Sequence, residues 1–159
     1  MILTTQIRNI EDAIETILNE CEYEQFISRV IAHNLSYDED SINIIMGNKS
    51  KGVKSKPPLI SVFFDTANIN HAGSSLSEEW QFNIVLISLL ISREPEVGRD
   101  LANTLALEAS DYLIKNRTLN GTIRDIVRTG FTPGEERVEI GNSTFGAGVE
   151  MQLRFRVRT

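Results

Sequence analysis

Apolar residues recur along this chain in two rhythms, one helical and one of period two. Ile7, Ile10, Ile14, Ile17, Leu18 and Cys21 keep helical spacing, while Asn9, Glu11, Asp12, Glu15 and Asn19 fall on other faces. That pattern predicts an N-terminal amphipathic helix. Thr4 or Thr5 is the expected N-cap, and the early acids suit the positive end of the helix dipole. "EYEQFISRVIAHNL" either continues this helix or forms a second one through Phe26, Ile27, Val30 and Ile31. The clearest helix opens at Pro95, flanked by Glu94 and Glu96, and shows a stripe of Val97, Leu101, Leu105, Ala109, Tyr112 and Leu113 up to about Asn116.

The second rhythm marks strands. Val149, Met151, Leu153, Phe155 and Val157 alternate without a slip against Glu150, Gln152, Arg154, Arg156 and Arg158, the pattern of a strand with one face buried. "LISVFFD" (59–65) and "WQFNIVLISLLI" (80–91) are β-rich runs, separated by the polar segment "TANINHAGSSLSEE". "INIIMG" (42–47) predicts a short strand, and "GTIRDIVRTGF" (121–131) another before a Pro133-Gly134 turn. "ERVEIGNSTFG" reads as a loop with room for a short strand of its own. Strands that follow one another without intervening helices argue for antiparallel pairing. The expected fold is therefore α+β: a mostly antiparallel sheet with an N-terminal helix and one long helix packed on it.

A chain of 159 residues makes a single domain, and one this long buries enough surface to hold together without disulfide or metal. Cys21 is its one cysteine and is expected as a small core residue. No stretch approaches the roughly 20 apolar residues that span a bilayer, and no signal-peptide pattern opens the chain, so no membrane partner is expected and folding in a cytoplasm is. Charge divides the domain. Residues 1–45, the acidic helical region, carry nine acids against two bases, a net of −7. Residues 48–58, "NKSKGVKSKPP", form a basic loop with Lys49, Lys51, Lys54 and Lys56 and no acid. Residues 59–159 hold the sheet and main helix.

Catalytic chemistry finds little support. His33 lies beside an apolar helical stretch, as a boundary residue does. His71 lies near Asp65, Ser74 and Ser75 in sequence, yet no Gly-x-Ser-x-Gly turn presents a serine. The acids Asp38-Glu39-Asp40 and Glu135-Glu136 lack metal-ligand spacing, and "GNKSKG" lacks the order of a phosphate loop. The reading is a non-enzyme without cofactor. Interaction surfaces remain. Arg154, Arg156 and Arg158 on one face of the last strand, set against Glu11 and Glu15 at the acidic front, are candidates for head-to-tail subunit contacts in a ring. That strand either guards a sheet edge with its arginines or accepts a neighbouring strand there. The four lysines are candidates for contact with a nucleic-acid backbone.

Three stretches give the chain a resemblance to a known family. They are "PPLISVFFD" leading through a polar loop to "EEWQFNIVLIS", then "REPEVGRDLANTLALEASDYL", and then "GTIRDIVRTGFTPGEER" leading to "GAGVEMQLRFRVRT". Over about residues 57–159 this layout resembles the tail terminator (tail-completion) proteins of tailed bacteriophages and related contractile particles. The resemblance implies a structural protein that forms a homo-oligomeric ring, roughly six-fold, on the head-proximal end of the tail tube. Its implied partners are further copies of itself, the tube protein, and sheath and head or neck proteins. DNA would pass through the lumen beside the lysine loop, in a virion tail assembled in the bacterial cytoplasm. Another tail or baseplate adaptor, or a small ligand-binding or regulatory α+β protein, is the alternative reading. Replacing Lys49, Lys51, Lys54 and Lys56 by serine should leave ring formation, followed by sedimentation, intact; lost assembly would make the loop a subunit interface.

Overall fold

The computed structural model describes residues 4–47, 57–71, 78–133, 138–141 and 144–158. Along the chain come α1 (Thr4–Glu20), α2 (Glu24–Ala32), a 3-10 turn at Glu39–Ser41, β1 (Asn43–Met46), β2 (Leu59–His71) and β3 (Glu78–Ser92). These are followed by α3 (Pro95–Lys115), β4 (Asp125–Thr132), β5 (Val138–Gly141) and β6 (Thr144–Arg158). The strands form one sheet in the order β1-β2-β3-β6-β4, with β5 also paired to β6. Every pairing is antiparallel except β1 with β2, which is parallel. The α+β class follows directly, a mostly antiparallel sheet with helices packed against it.

Alternation along the strands decides which face the helices cover. Phe82, Ile84, Leu86 and Leu90 of β3 join Val149, Met151, Leu153, Phe155 and Val157 of β6 in one buried cluster with the helices. Phe64, Phe82, Phe155 and Trp80 pack ring against ring on this face, with centroids 5.2–5.8 Å apart. The intervening residues face away from the helices: Gln152 and Arg154 are exposed, and Glu150 and Arg156 are half-buried.

α3 lies on the sheet with small residues on its inner side. A Cβ on Gly98 would come within 2.6 Å of the Ser92 hydroxyl oxygen, which would have to move, while the Ala147 Cβ at 3.7 Å is in ordinary contact range. The buried Ser88 hydroxyl donates to the Ala102 carbonyl at 2.6 Å, joining β3 to the middle of α3. The sequence predicts one apolar stripe on this helix. The structure buries more of it, with Gly98, Ala102, Ala106 and Ser110 inside as well, because α1 and α2 pack against α3 from another side.

α1 and α2 are separate helices, divided at Tyr23, whose left-handed backbone (φ 50°) turns the chain. The first free N–H groups of α2 are received from across the domain. Gln25 and Phe26 donate to the two Glu108 carboxylate oxygens at 2.8 and 2.9 Å, so an α3 side chain caps the neighbouring helix. Tyr23 donates to the Leu18 carbonyl at 2.6 Å. Burial pushes both the Cys21 thiol and the Tyr23 phenol above their ordinary values, and Cys21 takes its place in the core.

Four expectations need correction. Thr4 and Thr5 lie inside α1 and do not cap it, and no acid occupies its first turn. The polar segment after Asp65 is largely strand rather than a separating loop, since β2 continues to His71 and β3 begins at Glu78. Period-two burial does not mark these residues because Asp65 to His71 are all exposed. β4 starts at Asp125, residues 117–124 being turns and bends. Most consequentially, β6 is no edge. It lies between β3 on one side and β4 and β5 on the other, since its alternation reports one buried face and not whether a neighbour lies at each edge. Phe155→Ala, which empties a fully buried ring site, should lower unfolding stability by about 3–5 kcal/mol in a denaturant titration.

Candidate assembly surface

The face turned away from the helices can be read row by row from the strand register, since cross-strand partners share a face. At one end it is apolar: Leu59 lies opposite Leu89, Ser61 opposite Ile87, and Phe63 opposite Val85. Leu59 and Val85 are buried although they stand outside the helix-packed cluster; Phe63, Ile87 and Leu89 are half-buried. Further along the rows become polar. Thr66, Asn83, Arg154 and Val127 share one level, and Asn68, Gln81, Arg156 and Asp125 share the next. Asn83 donates to the Thr66 hydroxyl oxygen at 2.8 Å, tying β3 to β2 on this face.

Of the arginines singled out in the sequence, Arg156 is engaged within its own subunit. It donates to both carboxylate oxygens of Asp125 on β4, from Nε at 2.8 Å and through Nη2, a fork-to-fork pair. Its Nη1 stands 3.8 Å from Glu79, and Arg124 reaches the same Glu79 carboxylate at 3.1 Å. Arg156 therefore stitches β6 to β4 and β3. Its guanidinium, hydrogen-bonded to Asp125, holds that carboxyl below the usual range, and the pair raises Arg156 in turn. Arg154 points outward, exposed, and forms no ion pair with another described residue. The Arg158 side chain and the four lysines lie outside the described residues. Glu15 is exposed on α1, and Glu11 is half-buried beside a groove.

That groove, of ≈ 240 Å³, lies where β1 ends and β2 runs on. Glu11 and Ile14 of α1 line it with Met46, Val62, Phe64 and Ile84. Nothing in the periodicity of the sequence announces it, because it arises from β1 being shorter than β2. A larger cleft, ≈ 410 Å³, is lined by His33, Tyr37, Ile91, Arg93 and Val97 among others. His33 faces Asp100 of α3 at 3.1 Å, and Arg29 meets the same carboxylate at 3.2 Å, so His33 fastens α2 to α3. His71 and Asp65 stand six residues apart on one strand, about 20 Å, and do not converge; Ser74 and Ser75 lie outside the described residues. Asp38 braces the 3-10 turn, accepting from the Ser41 amide and hydroxyl, both at 2.9 Å. Among the described residues no group of three or more His, Cys, Asp or Glu side chains is placed to hold a metal, and no helix is long and apolar enough to cross a membrane.

Sequence reading missed Asp125 and Glu79 as the ion-pair partners of Arg156, and Arg124 as the second cation on Glu79. They come from two segments distant from Arg156, and no local spacing joins them to it. It also missed the exposed apolar side chains Val127 and Phe131 on β4, whose exposure follows from their position on an outer strand. No protein-family model matches the chain, and none of the curated proteins compared with it matches either.

The Asp125–Arg156 pair has a definite pH signature. A carboxyl held below its unfolded value contributes stability above that value, about 3.9, and loses it as pH falls through the folded one. Asp125→Asn should therefore lower the thermal midpoint at neutral pH, and the difference from the parent protein should shrink away towards about pH 2. A difference that persists undiminished in acid would assign the loss to packing.

Proposed function

We propose that this protein is a structural subunit of a phage-type tail, a ring-forming tail terminator that ends growth of the tail tube and joins it to the head or neck. The observation that carries the reading is the division of the sheet. Helices seal one face, whereas the other sets the half-buried Phe63, Ile87 and Leu89, with Leu59 and Val85 buried among them, beside a polar region where Arg154 is exposed. A partly exposed apolar strip with a charged border suits contact with another protein.

The resemblance in sequence points the same way. Its three stretches form the β2–β3 hairpin, the central helix α3, and the β4 to β6 strands that close the sheet. Function in such a protein is geometry. One end of the ring must complement the last ring of the tube, and the other must not complement another tube subunit, since only an unlike surface stops a polymer. The acidic α1 region and the neutral-to-basic sheet supply different surfaces for these two tasks.

Negative-stain electron microscopy of the purified protein, with and without tail tubes, tests this directly. Closed rings, or a cap at one tube end, are the expected result. Uniform monomers that ignore tube ends would overturn it.

A further inference from the structure

Among the described residues, β2 along most of its length and β4 each have a side without a partner strand, as do the short β1 and β5. β1 pairs only with Leu59–Val62, so of the 13 residues of β2 the nine from Phe63 to His71 have, among the described residues, a partner on the β3 side alone. At the other end of the sheet the outer side of β4, eight residues long, has no described partner. Free strand edges present unpaired N–H and C=O groups and are templates for another strand.

We infer that these two edges are complementary halves of one interface between copies of this chain, β4 of one copy adding to the free edge of β2 in the next. The inference rests on the ring reading above and specifies its contact. Strand direction supports it. β2 is antiparallel to β3, β3 to β6, and β6 to β4, so β4 runs opposite to β2. A rotation about an axis along the strands preserves those directions and brings β4 of the neighbour alongside β2 in antiparallel sense, the more stable pairing.

Register then matches side chains to surfaces. Phe131 lies level with Val62 through Leu86 and Met151, on the helix-covered face. The same rotation sets Asp125–Gly130 level with the free stretch Phe63–Asn68; Phe131, level with the already paired Val62, turns off the edge at the end of β1, where the ≈ 240 Å³ groove opens between Met46, Val62, Phe64 and Ile84. Phe131 is 38% exposed in its own subunit, an aromatic side chain of the kind that anchors interfaces by filling a pocket on the partner. Arg128, level with Phe64 and on the same face, arrives beside Glu11 at the groove. It is held by Asp111 at 2.8 Å in its own copy and stays partly exposed, so charge is complementary where shape is.

Each edge also carries a bulge, at Asp65 in β2 and at Thr129 in β4. Bulges break an edge for strands of regular register, which leaves both edges selective for a partner whose own irregularity fits. Because the two edges differ, the contact is head to tail and propagates around a ring.

The levels name the cross-link. Thr66 and Val127 lie on one row, both exposed, and adjacent strands bring such positions within disulfide reach. In a Cys21→Ala background, Thr66→Cys mixed with Val127→Cys should give oxidised dimers. The double variant should give a ladder of larger species, and each single variant alone should stay monomeric on a non-reducing gel. Phe131→Ser, with its circular dichroism unchanged, should abolish assembly and the cross-link together. Rings that form without any cross-link, or single variants that link to themselves, would overturn this edge pairing and leave the ring reading in place. Monomers under all conditions would overturn both.

Discussion

Burial of α3 from two sides is the constraint on which this architecture turns. Its inner side carries glycine and alanine where it meets the strands, and a side chain at Gly98 would displace the Ser92 hydroxyl. Its other side receives α1 and α2, and Glu108 from its surface caps α2 while Asp100 holds Arg29 and His33. With the helices gathered over one face, the polar rows of the other, from Thr66 to Arg154 and Val127, keep exposed side chains. The exposed surfaces of the sheet are therefore consequences of how one helix is packed.

The charged residues divide along the same line. An arginine that alternates with buried neighbours can serve solvation, a partner or the fold, and position within the sheet separates these uses. Arg156 stands between β4 and β3 and is drawn into a network with Asp125 and Glu79. Arg154, two residues earlier and one row away, finds Asn83 and Val127 as its neighbours and stays exposed. Such surface ion pairs contribute modestly to stability. Here the geometry also matters, because it orders the strand that forms one outer side of the sheet.

Much of the core was legible in the pattern. The stripe from Val97 to Leu113 and the alternation from Val149 to Val157 lead straight to α3 and β6, since burial on one face imposes a period of 3.6 or 2 on the residues themselves. The extension of β2 to His71 was illegible for the same reason reversed: a hairpin arm standing clear of the helices buries neither face, so its residues carry no alternation. The groove beside Glu11 and the exposure of Phe131 depend on where neighbouring strands stop, which no single segment records.

Local sequence by itself determined the helices, the principal strands and the α+β class, because hydrophobic burial acts on each segment through its own periodicity. It also set the separation of an acidic front from a neutral body. Tertiary structure alone decided that β6 lies inside the sheet, with β2 and β4 lacking a second partner among the described residues, and that Arg156 is paired within its own subunit while Arg154 on the same face stays exposed. Strand order and long-range ion pairing join residues far apart in the chain, and the physical reason is that backbone hydrogen bonds between strands carry no residue-specific signature of which strand will be the neighbour.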